Sequence, residues 1–313
     1  MSSATTIVFG PTGHVGSAAA ITAAQLGAKV VLALRDTQKP IPGLTADQEK
    51  SGSYERIQAD LNKPETIEAA VRTTGAKSAF LYLAYGTPDH MRGTIEALKA
   101  SGIEFVVFLS SFAVDGDLRS IEPSNIVAYL HGQVEINLEE VFGADGYVAV
   151  RPAFFNTNVK WWAGMIREGE VKIAHPNSAF DWISPGDIGR VAGTLLVQGF
   201  QATSGAKERN FITLCGPKLV SQGDAMGIFG KAIGKDVKVT EVNEEEGVKI
   251  LIENGVPEFV AEPLVKSVAA AKSGSNQYAG GRYTEGSLNL KKYAGQVTSL
   301  DEWAVANKEV LGV

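Results

Sequence analysis

A doubly wound parallel α/β sheet is predicted by three features of the sequence. From Thr5 to Arg151 short β-branched or aliphatic runs alternate with helical stretches, each run is almost continuously apolar, and a glycine-rich turn directly follows the first of them. Strands are expected at Thr5–Phe9, Lys29–Leu34, Tyr54–Gln58, Ser78–Leu83, Phe105–Ser110 and Tyr147–Arg151. Nearly continuous apolar character is expected of strands covered by helices on both faces, where a half-exposed strand would alternate. The helices between them are expected at His14–Leu26, Pro64–Thr74, Asp89–Ala100 and Asn125–Val141, with Pro64 suited to a first turn and Gly27 and Gly102 to stops.

Beyond Arg151 the rhythm changes. Pro152, Pro176, Pro185, Pro217, Pro257 and Pro263 punctuate shorter helices, and two further strands are expected at Phe211–Leu214 and Val237–Thr240. Lys272–Gly286, rich in Gly, Ser, Asn and Tyr, reads as a long loop and a candidate lid, and Leu300–Leu311 as a closing helix capped by Ser299 or Asp301.

With 313 residues, 44% hydrophobic and 20% charged, the chain is long enough and apolar enough to bury a substantial core. A net charge of −6 without a clustered Lys/Arg stripe argues against nucleic acid and anionic lipid as partners. Met1 to Thr6 is short and polar, so no secretory leader is expected, and no apolar run approaches a membrane span. The single cysteine, Cys215, excludes an intramolecular disulfide and a multi-cysteine zinc site, and a cytoplasmic location is expected.

The turn after the first strand is Gly10-Pro11-Thr12-Gly13-His14-Val15-Gly16, and the alanine-rich Ser17–Ala20 then opens a helix. Small residues are required where the chain turns sharply, where backbone N–H groups approach a pyrophosphate, and where helix packs closely on strand. The pyrophosphate then sits at the positive end of the helix. An ordinary strand-to-helix turn is the bland alternative, but the six-strand context favours a dinucleotide-binding Rossmann domain over residues 1–152. Residues 153–313 then form a smaller, partly interleaved α/β substrate region, some of whose segments return to the first domain.

The glycine spacing departs from G-x-G-x-x-G by one residue and resembles the motif of the extended and atypical short-chain dehydrogenase/reductases, in particular the NmrA-like branch. Val30–Asp36, Ala59-Asp60-Leu61 and Phe108–Ser111 resemble that branch's second strand, adenine-side turn and fifth strand. Arg151–Asn156, Ile183–Gly189 and Ser299–Trp303 resemble its later landmarks. The resemblance implies NADP(H) as cofactor, with Gly10, Thr12, Gly13, His14, Val15 and Gly16 around the pyrophosphate. It places Asp60 and Leu61 at the adenine, Ala84, Tyr85 and Gly86 alongside the cofactor, and Phe154 near the nicotinamide.

At the end of the second strand an acidic residue would bind a ribose 2′-hydroxyl and a basic one a 2′-phosphate. Arg35 matches the basic position, with Lys39 close behind, and Asp36 reads as a turn cap; Arg35 as a solvated surface charge is the bland alternative.

The superfamily's reaction uses a Ser, a Tyr and a Lys four residues after the Tyr. Ser111 and Tyr129 occupy the first two positions, whereas Gln133 stands where the lysine belongs. A neutral amide replaces the lysine's hydrogen bond but not its charge, so Tyr129 is expected to serve as a proton donor in reduction and to be a poor base for oxidation. Lys160 is a candidate for the missing charge, and His131 reads as a helix-surface histidine. Phe154, Phe155, Trp161, Trp162, Phe180 and Trp182 form an aromatic cluster read first as core packing and otherwise as an apolar substrate wall. Asp181 is a weaker site candidate, Asp187 a cap for a helix beginning at Ile188, and Cys215 inert packing.

The leading expectation is an NADPH-dependent reductase of a carbonyl or conjugated double bond in a small, largely apolar compound, working as a monomer or homodimer. The alternatives are a non-catalytic redox sensor with a protein partner and a non-redox isomerase or cyclase with structural NADP.

Overall fold

The computed structural model describes residues 4–50, 52–199, 210–272, 278 and 280–313. The chain divides into two compact units, one of 1–152, 185–213 and 289–295, the other of 153–184, 214–288 and 296–313.

The first unit begins with β1 (Thr5–Phe9), α1 (His14–Gln25), β2 (Lys29–Leu34), α2 (Ala46–Glu49), β3 (Tyr54–Gln58), α3 (Pro64–Thr74) and β4 (Ser78–Tyr82). It continues with α4 (Arg92–Ala100), β5 (Phe105–Leu109), α5 (Ile126–Phe142) and β6 (Tyr147–Pro152). The chain then enters the second unit with α6 (Ala163–Glu168), β7 (Glu170–Ala174) and β8 (Ala179–Phe180), and returns to the first with α7 (Pro185–Gln198) and β9 (Phe211–Leu214). β10 (Val220–Ser221), α8 (Gln222–Ala232), β11 (Lys238–Val242), α9 (Glu244–Glu253) and α10 (Glu258–Lys272) follow, then α11 (Arg282–Ala294) and α12 (Leu300–Ala306).

The main sheet has the order β3-β2-β1-β4-β5-β6-β9. It is a parallel Rossmann sheet, reversing direction of build between β1 and β4. Phe211–Leu214, a strand expected in the second half, supplies the seventh position, and the Ala149 N–H donates to Asn210 O at 2.8 Å where it joins. One sheet face is covered by α3, α4 and α5 through Ile67, Val71, Ile95, Leu98, Val134 and Leu138, all essentially inaccessible. On the other face α1 meets α7, and this contact depends on absent side chains. A Cβ at Gly189 would lie 2.4 Å from Ala18 Cβ, and one at Gly193 would lie 2.6 Å from Ala19 O. Those distances are below any real carbon contact, so glycine at these positions sets how closely the two helices approach.

Several boundaries differ from expectation for local reasons. The fourth helix starts at Arg92 and not Asp89, because His90 and Met91 take left-handed backbone (φ 50° and 67°). The Asp89 side chain instead caps the new start, accepting from Gly93 N–H at 2.8 Å. The closing helix is capped by Ser299 in a reciprocal pair with Glu302 and ends at Ala306; a short 3-10 turn, Lys308–Leu311, completes it. Of the expected loop Lys272–Gly286, the stretch Arg282–Gly286 is helical within α11, while 273–277 and 279 lie outside the described residues. In the second unit β11 runs from Lys238 to Val242, two residues further than expected, and pairs in parallel with β7.

Candidate functional site

The carboxyl ends of β1, β2 and β4 in the first unit border a groove of about 300 Å³. Gly10, Pro11 and Thr12 form one wall, Arg35, Asp36 and Lys39 a second, and Asp60, Leu61, Tyr82, Ala84 and Tyr85 the remainder. Ligands of open α/β sheets bind at this end of the strands, beside the point where strand order reverses.

The glycines of the turn have different tasks. Gly10 has φ 66°, and a Cβ there would meet the Tyr82 ring at 2.5 Å. Gly16 is buried, and its Cβ would strike Gly10 O at 2.3 Å, so it lets the turn fold back on itself. Gly13 caps α1 in extended backbone (φ −88°, ψ 156°), and the nearest atom to a Cβ there is Gly10 O at 3.5 Å. Space at Gly13 is therefore left free, an approach that a side chain would occupy. His14 is exposed beside it, whereas Val15 is 7% accessible and its side chain belongs to the core. The first N–H groups of α1 have no acceptors within the helix, and together with the dipole they favour an anion. These residues fit a dinucleotide pyrophosphate.

At the other end of the groove one oxygen of the Asp36 carboxylate is engaged. Its Oδ1 accepts from Gln38 N–H at 3.0 Å, closing a local turn, while Arg35 and Lys39 are exposed. Asp60 is held in a similar turn, with Oδ1 accepting from Asn62 N–H at 3.1 Å and its own N–H donating to Thr66 Oγ1 at 3.0 Å. Tyr82 is a groove residue that sequence reading missed; burial raises its phenol above the ordinary value, with Arg35 opposing and Asp60 adding to that rise.

Ser111 and Tyr129 also belong to the first unit, on the loop after β5 and on α5. Ser111 Oγ accepts from Ala113 N–H at 3.2 Å, and the Tyr129 ring meets His90 edge-on at 5.7 Å. Gln133 follows one helical turn after Tyr129 and is half-buried. A buried ion pair ties the two elements together. Ser110 Oγ donates to Glu135 Oε1 at 2.5 Å, and Arg151 grips Glu135 through Nε at 3.0 Å and Nη2 at 2.5 Å. Arg151 Nη1 also donates to Val114 O at 3.3 Å. Glu135 and Arg151 are 1% and 3% accessible, so each is the counter-charge the other needs in a site closed to water. Sequence reading missed Glu135, although a carboxylate on the inward side of an apolar helix signals a partner.

His131 is not a surface histidine. Its Nδ1 bonds Val127 O at 2.8 Å, its ring lies 6.2 Å from Phe108, and burial lowers its pKa, which favours the neutral form. Asp187 does not cap a helix beginning at Ile188; α7 starts at Pro185, and Asp187 is fully buried in its first turn, paired with Arg190.

In the second unit Phe154 stacks on Phe180 at 4.1 Å and meets Trp182 edge-on at 5.0 Å, and the chain of rings continues to Phe229 and Trp303. Lys160 is exposed on the 3-10 turn Asn156–Trp162 of the same unit. Asp181, 1% accessible, is a hub: Phe154 N–H, Gly216 N–H and the Tyr278 hydroxyl donate to it at 2.8, 2.8 and 2.6 Å. Burial pushes its carboxyl up to about 6, although these three donors oppose the rise. Burial likewise drives the Cys215 thiol upward, consistent with an inert side chain.

Because the folded carboxyl of Asp181 titrates above the usual range near 4, the native state holds a proton that the unfolded chain has released between pH 4 and about 6. Its contribution is present below pH 4 and is lost as pH rises through 6, amounting to at most roughly 3 kcal/mol. Urea unfolding of the native chain and Asp181→Asn across this range is expected to show the variant gaining relative stability as pH rises. A constant difference contradicts the assignment.

Residues 2–304 match the NmrA-like family, and the chain belongs to it. It is 37% identical to the nitrogen metabolite regulation-like protein bik4 of Gibberella fujikuroi, over 95% of this chain and 94% of that one. Its fold is similar to that of the Escherichia coli NADPH-dependent quinone oxidoreductase QOR2 solved with NADPH, with a TM-score of 0.70 and 20% identity over 96% and 99% of the two chains. It is equally similar to NmrA, a negative transcriptional regulator solved with NADP, with a TM-score of 0.70 and 16% identity over 99% and 97%. Among the described residues no helix is long and apolar enough to cross a membrane, and no cluster of His, Cys, Asp and Glu is arranged to hold a metal.

Proposed function

We propose that the chain binds NADP(H) along the first unit's groove and reduces a carbonyl or conjugated double bond of a small, largely apolar or aromatic compound. The observation that carries this reading is the division of labour at the end of β2. Arg35 and Lys39 are exposed and line the groove there, while Asp36 already accepts a hydrogen bond through Oδ1 in its own turn, so two cations are available to a 2′-phosphate. QOR2, whose fold this chain shares, is described as an NADPH-dependent quinone oxidoreductase.

Bound NADPH supplies the hydride. The chain's own part is to orient and to manage a proton. In this reading Tyr129 Oη delivers a proton to the substrate oxygen as charge develops there, and Ser111 Oγ donates a hydrogen bond to the same oxygen. Gln133 contributes a hydrogen bond without charge, which favours reduction over oxidation. The Glu135–Arg151 pair keeps the Ser111 loop and the Tyr129 helix in one arrangement. A regulator reading is favoured by one observation, the amide at Gln133, together with the regulatory description of NmrA and bik4.

Calorimetric titration tests the cofactor assignment. The native chain is expected to prefer NADPH to NADH, and Arg35→Ala to erase most of that preference by removing the 2′-phosphate's bidentate partner. Equal affinity of the native chain for both dinucleotides overturns it.

A further inference from the structure

Arg35 and Lys39 are exposed, many-rotamer side chains, and they meet a phosphate productively only if the backbone between them is fixed. Asp36 accounts for part of that order. The remainder comes from β3. Arg56, opposite Leu32 in the β2–β3 ladder, reaches across and donates from Nη1 to both Thr37 O at 2.6 Å and Lys39 O at 2.7 Å. Its other edge is gripped by Glu49, with Nε to Oε2 at 2.6 Å and Nη2 to Oε1 at 2.7 Å. Glu49 is itself placed by α2, whose reciprocal cap joins Thr45 and Gln48. Next along β3, Gln58 Nε2 donates to Arg35 O at 3.1 Å.

We propose that Arg56 and Glu49 are positioning residues that set the preference for a 2′-phosphorylated dinucleotide by clamping the 35–39 turn. The proposal rests on the NADP(H) reading of the groove. Arg56 is not itself the phosphate ligand. Four of its five N–H donors are engaged by the turn or by Glu49, and the partly buried pair is mutually neutralised, with the Glu49 carboxyl held below its usual range by the Arg56 hydrogen bond. The clamp also turns two backbone carbonyls toward a cation, and oxygens so engaged do not face the phosphate with their lone pairs. In the NADP(H) reading this turn carries the two cations that meet the 2′-phosphate, which NADH lacks, so loosening it costs NADPH more than NADH.

The test uses two variants of the full chain and calorimetric Kd values for NADPH and NADH. Arg56→Lys keeps the charge but replaces a planar fork with a point donor. Arg56→Gln combined with Glu49→Gln removes the ion pair without changing net charge. Each is expected to lower the NADPH-to-NADH affinity ratio on the order of tenfold, with NADH affinity unchanged within about twofold. A native chain that prefers NADPH and variants that keep its ratio overturn the proposal while leaving the cofactor reading intact. Equal weakening of both dinucleotides, or loss of native circular dichroism in both variants, shows a merely structural pair and also overturns it. A native chain without preference removes the cofactor reading, and the proposal with it.

Discussion

Replacing Gly13 with valine is expected to abolish dinucleotide binding while the protein remains folded. Among the three glycines of the turn, this is the one whose substitution separates the two effects. Gly10 has left-handed backbone and abuts Tyr82, and Gly16 abuts Gly10 O, so side chains there disturb the turn itself. Gly13 has ordinary extended backbone, and a Cβ there sits 3.5 Å from its nearest neighbour. A branched side chain therefore fills the approach to the N-terminus of α1 without forcing the protein atoms apart. Circular dichroism and thermal melting should match the native chain, and calorimetry with NADPH should show no heat of binding. Native-like affinity in Gly13→Val means that no pyrophosphate lies at this helix.

The second large effect is expected at Tyr129. If its hydroxyl delivers the proton, Tyr129→Phe should slow NADPH-dependent reduction by on the order of a hundredfold or more, with cofactor affinity nearly constant. Removing one hydroxyl from a half-buried helix position changes little in the fold, so binding and chemistry are separable. The companion change Gln133→Lys restores a charge one turn away, and it is expected to move the optimum of the oxidative direction toward lower pH by favouring the phenolate. If neither change alters turnover of a verified substrate, Tyr129 is a bystander and the chemistry belongs to Ser111, His131, Lys160 or the cofactor alone.

Much of the first unit was legible because its signals are local. The six strands start at the expected residues, although β3 carries Glu55, Arg56 and Gln58 and is only half-buried where an apolar run was expected, and α3 begins at Pro64 as propensity requires. What was not legible depends on contacts between distant residues. Phe211–Leu214 reads as a strand, but its place beside β6 in the Rossmann sheet comes from hydrogen bonds such as Ala149 N–H to Asn210 O, between residues far apart in sequence. The glycines at 189 and 193 are spaced to clear one helix face, a signal of close helix approach that sequence alone offers without naming α1 as the partner. Within the groove, Arg35 and Asp36 are adjacent charges of opposite sign, and the hydrogen bond from Gln38 N–H to Asp36 is a contact that the sequence alone does not name. Arg56 and Glu49 look like surface charges in sequence, since nothing local ties Arg56 to the carbonyls of Thr37 and Lys39. Lys272–Gly286 misled in the other direction, because its glycines and serines read as loop although the chain is helical from Arg282.

The central claim is that this chain uses NADPH to reduce a substrate, and a single-turnover experiment addresses it most directly. Native protein is loaded with NADPH, mixed with a panel of quinones, ketones and enones, and followed by the loss of reduced nicotinamide absorbance. The account predicts stoichiometric consumption of NADPH with at least one apolar member of the panel and a matching reduced product, slowed in Tyr129→Phe. Tight NADPH binding with no consumption across the whole panel would contradict it and leave the dinucleotide as a ligand that the protein senses.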